Sequence, residues 1–107
     1  MLVTSEVIRG YTDTILLAQL KKGDSYGYEI NKNLQAITNN EFELKEATLY
    51  TAFRRMENEG YITSYWGDEG VGARRRYYTI TDKGIDLYEE NLKDWKKIKN
   101  MIQNLLK

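Results

Sequence analysis

EATLYTAFRRMENEG, residues 46–60, carries Leu49, Ala52, Phe53 and Met56 at three- and four-residue spacing, so the four share one face of a helix. Thr48, Thr51, Arg54, Arg55 and Asn58 fall largely on the other side. Gly60 stands where a helix C-terminus takes a left-handed residue. One face is built for burial, and the other offers hydroxyl and guanidinium groups. That division points to a helix whose exposed face enters a DNA groove while the remaining chain holds it in place.

After Gly60 the period changes. Residues 61–66 are rich in β-branched and aromatic side chains and read as a strand. Gly67, Gly70 and Gly72 punctuate a turn, and residues 74–80 read as the returning strand of a hairpin with a basic arm. Upstream, Ser5 can cap a first helix over about residues 6–21. Ile8, Tyr11, Ile15 and Ala18 form one apolar stripe on it; Leu16, Leu17 and Leu20 form a second. A helix apolar on two sides packs against its own core and against something else, which in so small a chain favours a dimer contact. Gly23-Asp24-Ser25 stops this helix and offers a cap to the next, over residues 26–37, where Ile30, Leu34 and Ile37 recur at helical spacing. Thr38-Asn39-Asn40 is a polar breaker, and residues 41–44 suit a short strand or an extended connector. The expected fold is therefore mainly α with a small β-hairpin, in the order of a winged helix-turn-helix.

Thr81-Asp82 caps a last helix. Ile85, Tyr88, Leu92 and Trp95 step by three, four and three residues, and Ile102 and Leu106 resume the series. The intervening seam position falls on Lys99, with Ile98 beside it. This heptad-like spacing argues for a coiled-coil-like seam. Acids crowd the first half of the helix and lysines the second, matching the dipole at each end. About 25 helical residues span roughly 37 Å, more than so small a domain can cover alone. The division expected is a DNA-binding domain over 1–81, its first helix shared with the dimer contact, and a dimerisation helix over 82–107. The dimer interface expected comprises Ile8, Tyr11, Ile15, Tyr88, Leu92, Trp95, Ile98, Ile102 and Leu105.

Composition narrows the function. Among 107 residues there is no Cys and no His, which removes thiol chemistry, disulfides, the usual zinc sites and the commonest general base. No Gly-rich phosphate loop follows a strand, and the carboxylates are scattered over helix surfaces, so an enzyme is the weakest reading, and neither a cofactor nor a metal is expected. No apolar run is long enough for a membrane span, and a cytoplasmic location follows by default. The formal net charge is zero, so attraction to nucleic acid must come from a local patch. Lys45, Arg54, Arg55, Arg74, Arg75 and Arg76 supply it, opposed in sequence by Glu46, Glu57, Glu59, Asp68 and Glu69. The segment becomes basic only if the fold brings the hairpin arm beside the third helix.

The DNA-contact residues expected are Thr48, Tyr50, Thr51, Arg54, Arg55, Arg74, Arg75 and Arg76. The first three lie in the N-terminal half of the recognition helix, which approaches base edges first. Arg54 can pair with guanine or with phosphate. Arg74, Arg75 and Arg76 alternate along a strand and cannot all point the same way. The competing reading of Arg54 and Arg55 is a solvated helix face paired with nearby Glu. Tyr78 is expected to pack under a helix, while Tyr50 either seals the core edge or donates to a phosphate. Trp66, at a strand end, reads as a core or hairpin residue. Trp95 reads first as core; in a symmetric helix pair, two copies could instead sandwich a planar aromatic ligand.

The run Tyr26-Gly27-Tyr28-Glu29-Ile30, the block Ala47-Thr48-Leu49-Tyr50, Glu57 to Gly60, and Arg76-Tyr77-Tyr78 through Thr81 and Gly84 resemble the PadR family of bacterial transcriptional regulators. ATLYT, SYWGDE and the tryptophan in the last helix resemble its short, LmrR-like subgroup of multidrug-sensing repressors. The resemblance implies a homodimer on double-stranded operator DNA, with the last helix packed on the partner's first helix, repressing a transporter gene or the regulator's own. It also implies a central pore holding planar drugs between paired tryptophans, with Trp95, Leu92, Asp13 and Lys99 as the ligand-binding set. Lys99 stands where the best-known member of that subgroup carries an acid and would disfavour cationic drugs, with Asp13 and Glu6 as offsets. The rival readings are a planar-drug-binding protein or a protein-docking winged helix, neither with specific operator recognition.

Overall fold

Three apolar stripes, one from each of the first three helices, meet over the hairpin. In the computed structural model, which describes residues 8–67 and 74–107, a 3-10 turn at Arg9–Tyr11 leads into α1, Thr12–Lys21. There follow α2 (Gly27–Ile37), α3 (Glu46–Asn58), the strands β1 (Ile62–Gly67) and β2 (Arg75–Ile80), and α4 (Asp82–Leu105). Leu16, Leu17 and Leu20 of α1 pack with Ile30 and Leu34 of α2, and with Leu49, Ala52, Phe53 and Met56 of α3. Ile62 and Tyr78 close the core from the hairpin side. The second stripe of α1 stays outside this core: Ile8, Tyr11, Ile15 and Ala18 are only half-buried. This is the winged helix-turn-helix order expected from the sequence.

Local chemistry sets the joints. Gly60, at φ +84°, ends α3 in the left-handed region that a side chain disfavours. Asn39 and Asn40, at φ 54° and 64°, turn the chain out of α2, since Asn tolerates that conformation better than most residues. Residues 41–44 form an extended connector and not a strand. Asn31 supplies the pairing a strand would have made: its Nδ2 donates to the Leu44 carbonyl (2.8 Å) and its Oδ1 accepts from Leu44 N (2.9 Å).

Gly23-Asp24-Ser25 was expected to offer α2 a cap, but Tyr26 occupies the N-cap and makes no side-chain cap bond. Ser25 instead bridges β2, exchanging backbone hydrogen bonds with Tyr78 at 3.2 and 2.8 Å. A single isolated bridge thus ties the turn before α2 to the hairpin. Beside it, the Tyr65 hydroxyl donates to Asp24 Oδ2 at 2.6 Å. Hydrogen bonds from Thr79 and Tyr65 hold the Asp24 carboxyl below its ordinary value, and the bond to Asp24 pushes the Tyr65 phenol up. Ser5, Glu6, Asp68, Glu69, Gly70 and Gly72 lie outside the described residues.

The strands pair antiparallel, from Ile62 opposite Ile80 to Gly67 opposite Arg75. Thr81 caps α4 as expected: its Oγ1 accepts from Gly84 N at 3.1 Å. Along its first half α4 packs on α1, with Asn91 Nδ2 donating to Thr14 Oγ1 at 3.0 Å and Lys21 Nζ 3.1 Å from Glu89 Oε1. Beyond Trp95 it leaves the body, so Ile98, Met101, Ile102, Leu105 and Leu106 are exposed. No helix among the described residues is long and apolar enough to cross a membrane.

Candidate functional site

Because β2 alternates, Arg76 and Tyr78 share the face of the hairpin turned towards α3, and Arg75 starts on the other, reaching the end of the groove through its contact with Tyr26. Arg74, just before the strand, lies with Arg76 against Trp66. Tyr78, on the first of these faces, is buried and stacks on Phe53 with ring centroids 3.9 Å apart, which ties the hairpin to the recognition helix. Burial pushes the Tyr78 phenol up. Between hairpin and helix lies an open groove of about 650 Å³. Tyr50, Arg54 and Glu57 of α3 line one side of it, Trp66 and the arginines Arg74, Arg75 and Arg76 the other. Tyr26 and Tyr28, at the start of α2, form one end.

The arginines are held by aromatic rings. The guanidinium carbons of Arg74 and Arg76 lie 5.4 and 5.6 Å from the Trp66 ring, and that of Arg75 lies 4.8 Å from the Tyr26 ring. These distances suit cation–π attraction. Tyr26 meets Tyr77 edge-on at 5.3 Å, and Tyr77 stacks on Tyr65 at 5.6 Å, so the outer face of the hairpin carries its own aromatic ladder. Glu57 reaches into the groove from α3. Its Oε2 accepts from the Ser64 hydroxyl at 2.5 Å, Ser64 Oγ accepts from Arg76 Nε at 3.0 Å, and Arg76 Nη2 lies 3.4 Å from Glu57 Oε1.

The eight expected DNA-contact residues therefore divide. Tyr50, Arg54, Arg74, Arg75 and Arg76 meet in this groove. Thr48, Thr51 and Arg55 turn towards α1, where they line a second cleft with Arg9 and Asp13. Arg55 Nη2 donates to Asp13 Oδ1 at 2.5 Å, so this arginine bridges α3 to α1. Arg54 and Arg55 are adjacent in sequence but about 100° apart around the helix, and that step separates their surroundings.

A third, almost wholly apolar cleft of about 580 Å³ runs between α1 and α4. It gathers six of the nine residues expected at a dimer interface: Ile8, Tyr11, Ile15, Tyr88, Leu92 and Trp95. Trp95 is 38% exposed, and its ring meets Tyr11 edge-on at 5.4 Å. Ile98, Ile102 and Leu105 continue along the exposed part of α4. Of the expected ligand set, Trp95 and Leu92 line this cleft, and Lys99 Nζ lies 6.0 Å from the Trp95 ring. Asp13 is not among the cleft's lining residues and pairs with Arg55 instead.

Glu57, Tyr26 and Tyr28 were not expected as parts of the groove; of the two places expected for Trp66, core or hairpin, it takes the hairpin and is 52% exposed. Only the adjacency of Trp66 to the hairpin arginines across the strand pair could have flagged it. Among the described residues no group of His, Cys, Asp or Glu could hold a metal ion.

Comparison with known proteins adds ancestry to this geometry. Residues 16–90 match the family model described as the transcriptional regulator PadR-like family. The chain is similar to a transcriptional regulator from Clostridium thermocellum, with 48% identity, a TM-score of 0.89, and coverage of 99% of this chain and 100% of that one. A PadR family transcription regulator from Clostridium difficile is 40% identical, with a TM-score of 0.77 over 91% of this chain and 99% of that one. Bacillus subtilis PadR, solved in complex with operator DNA, is 25% identical with a TM-score of 0.67; the match covers 75% of this chain and 45% of that one.

Proposed function

This chain belongs to the PadR-like family of transcriptional regulators, and we propose that it is a homodimeric repressor that binds a pseudo-palindromic operator. The observation that carries this reading is the groove in which Arg54 of α3 faces Arg74 and Arg76 of the hairpin. In such a frame α3 lies in the major groove and the hairpin follows the phosphates or the adjacent minor groove. That the Bacillus subtilis relative is solved in complex with operator DNA supports operator binding. Arg55, paired with Asp13, serves to fix α3 on α1 and contributes less to the DNA.

The second copy docks through the apolar cleft of α1 and α4 and the exposed seam beyond Trp95. Ile98, Ile102 and Leu105 would otherwise stay in water. A two-fold dimer sets half-sites about one helical turn, roughly 10 base pairs, apart. A planar aromatic molecule seated against Trp95 would change the angle between α1 and α4. Asn91–Thr14 and Arg55–Asp13 would carry that change to α3. On this reading the ligand-responsive element is the cleft and the responding element is the helix spacing.

Operator binding is tested by a gel-shift titration with the DNA upstream of the chain's own coding sequence, against a shuffled fragment of equal length. Repression predicts a preference for the former, lost as salt rises and weakened by Arg54→Ala and Arg75→Ala. Equal affinity for both fragments refutes it. For the cleft, quenching of tryptophan fluorescence by a planar dye should vanish in Trp95→Ala; quenching that survives unchanged moves the dye elsewhere.

A further inference from the structure

Trp66 is half-exposed on the hairpin, directly opposite Arg76 in the strand pair. An exposed indole is costly to keep in water, and Trp66 is not core, since the buried core residues of the hairpin are Ile62 and Tyr78. Its ring is engaged by two guanidinium groups, Arg74 at 5.4 Å and Arg76 at 5.6 Å. The second of these is also fixed from below: Glu57 and Ser64 together take its Nε and Nη2.

From this we infer that Trp66 is a positioning residue for operator binding. It acts through Arg74 and Arg76, holding both in the groove opposite Arg54. The inference rests on the DNA-binding reading and goes beyond it in assigning the reach of the hairpin arginines to one ring and one carboxylate. A free arginine side chain loses rotamer freedom when it docks on a phosphate. An arginine already laid on an indole, with Glu57 limiting its alternatives, loses less of it on binding, which favours affinity through pre-organisation. Glu57 also places a negative charge inside a groove meant for phosphates. By occupying Arg76 it sets where that positive charge is presented and keeps indiscriminate attraction to DNA low.

The test is a double-mutant cycle on the full-length protein, titrated with the same upstream DNA fragment. Trp66→Leu, which keeps apolar bulk but no π face, should weaken binding about ten-fold. Trp66→Phe, which keeps a π face, should recover most of the loss. The salt dependence should stay near that of the unsubstituted protein, because the arginines remain. In an Arg74→Ala/Arg76→Ala background, Trp66→Leu should cost nothing further. Losses that add in that background would show the ring acting on its own account and overturn the inference, as would unchanged affinity of Trp66→Leu. Should Trp66→Leu lower the melting temperature, the same cycle is run with Trp66→Phe, where a smaller but still non-additive loss is required. Glu57→Gln gives an independent arm: it should raise affinity for the shuffled fragment more than for the upstream one, and an equal rise on both counts against the scheme. If the unsubstituted protein prefers neither fragment, the repressor reading itself fails, an outcome distinct from all of these.

Discussion

Gly84→Ala sets two effects of opposite sign against each other. In a helix interior Ala is favoured over Gly by about 1 kcal/mol, so propensity alone argues for a more stable protein. Gly84, however, is buried in the first turn of α4. A Cβ there would collide with the Tyr61 carbonyl oxygen and come within 2.8 Å of Ile80 Cγ1. The carbonyl is not free to move aside, because it accepts from Thr81 N at 3.1 Å and from Thr81 Oγ1 at 3.0 Å. Relief requires the N-terminus of α4 to lift off the hairpin, at an overpacking cost of about 1–3 kcal/mol. The same lift stretches the cap bond from Gly84 N to Thr81 Oγ1, worth about 1 kcal/mol. Setting the propensity gain against these leaves a net loss of about 1–3 kcal/mol. Equilibrium urea unfolding followed by far-ultraviolet circular dichroism measures it, at one fixed protein concentration so that association does not shift the midpoint. A midpoint equal to or above that of the unsubstituted chain would refute the packing argument and return the decision to propensity.

Phe53→Ala removes a fully buried ring that stacks on Tyr78, and should cost about 3–5 kcal/mol in the same assay; a loss near that of a surface substitution would contradict the assigned core. The Arg55–Asp13 pair is 46% and 33% exposed at its two side chains, so a double-mutant cycle should give a coupling of only about 0.2–1 kcal/mol. In DNA titrations Arg54→Ala should reduce the salt slope by about one, whereas Arg55→Ala should change it less; the reverse order would place Arg55 on the DNA. Asp24 is held below its ordinary pKa by hydrogen bonds from Thr79 and Tyr65. With the native value lowered, the unfolded chain binds its proton first, so the stabilisation is present above about pH 3.8 and is lost as pH falls through the native value. Urea midpoints measured across that acid range should fall less steeply in Tyr65→Phe; identical acid limbs would show that the bond contributes nothing.

Parts of the site were legible because they obey local rules. Leu49, Ala52, Phe53 and Met56 repeat with the helical period, and all four are buried. Arg76 and Tyr78 fall on one face of β2 and Arg75 on the other because a strand alternates, whatever surrounds it. Thr81 reads as a cap because its hydroxyl sits three residues before the amide it accepts from. The partners of these residues were not legible. Arg55 finds Asp13, 42 positions away, and Tyr65 finds Asp24, 41 positions away. Neither distance is encoded in a period.

The sequence by itself determined the order of elements, the buried stripe of α3, the second apolar stripe of α1 and the alternation of the hairpin arginines. These depend on short-range geometry, in which helical and strand periods decide which side chains share a face. The tertiary structure alone decided which of two adjacent arginines opens on the groove and which ties α3 to α1. It also decided that Trp66 stands outside the core with two guanidiniums on it, and that Ser25 pairs with a strand instead of capping a helix. The physical reason is the same in each case. A charge, a ring or a backbone amide takes its part from what the fold brings within a few ångströms, and those neighbours come from segments that no local pattern connects.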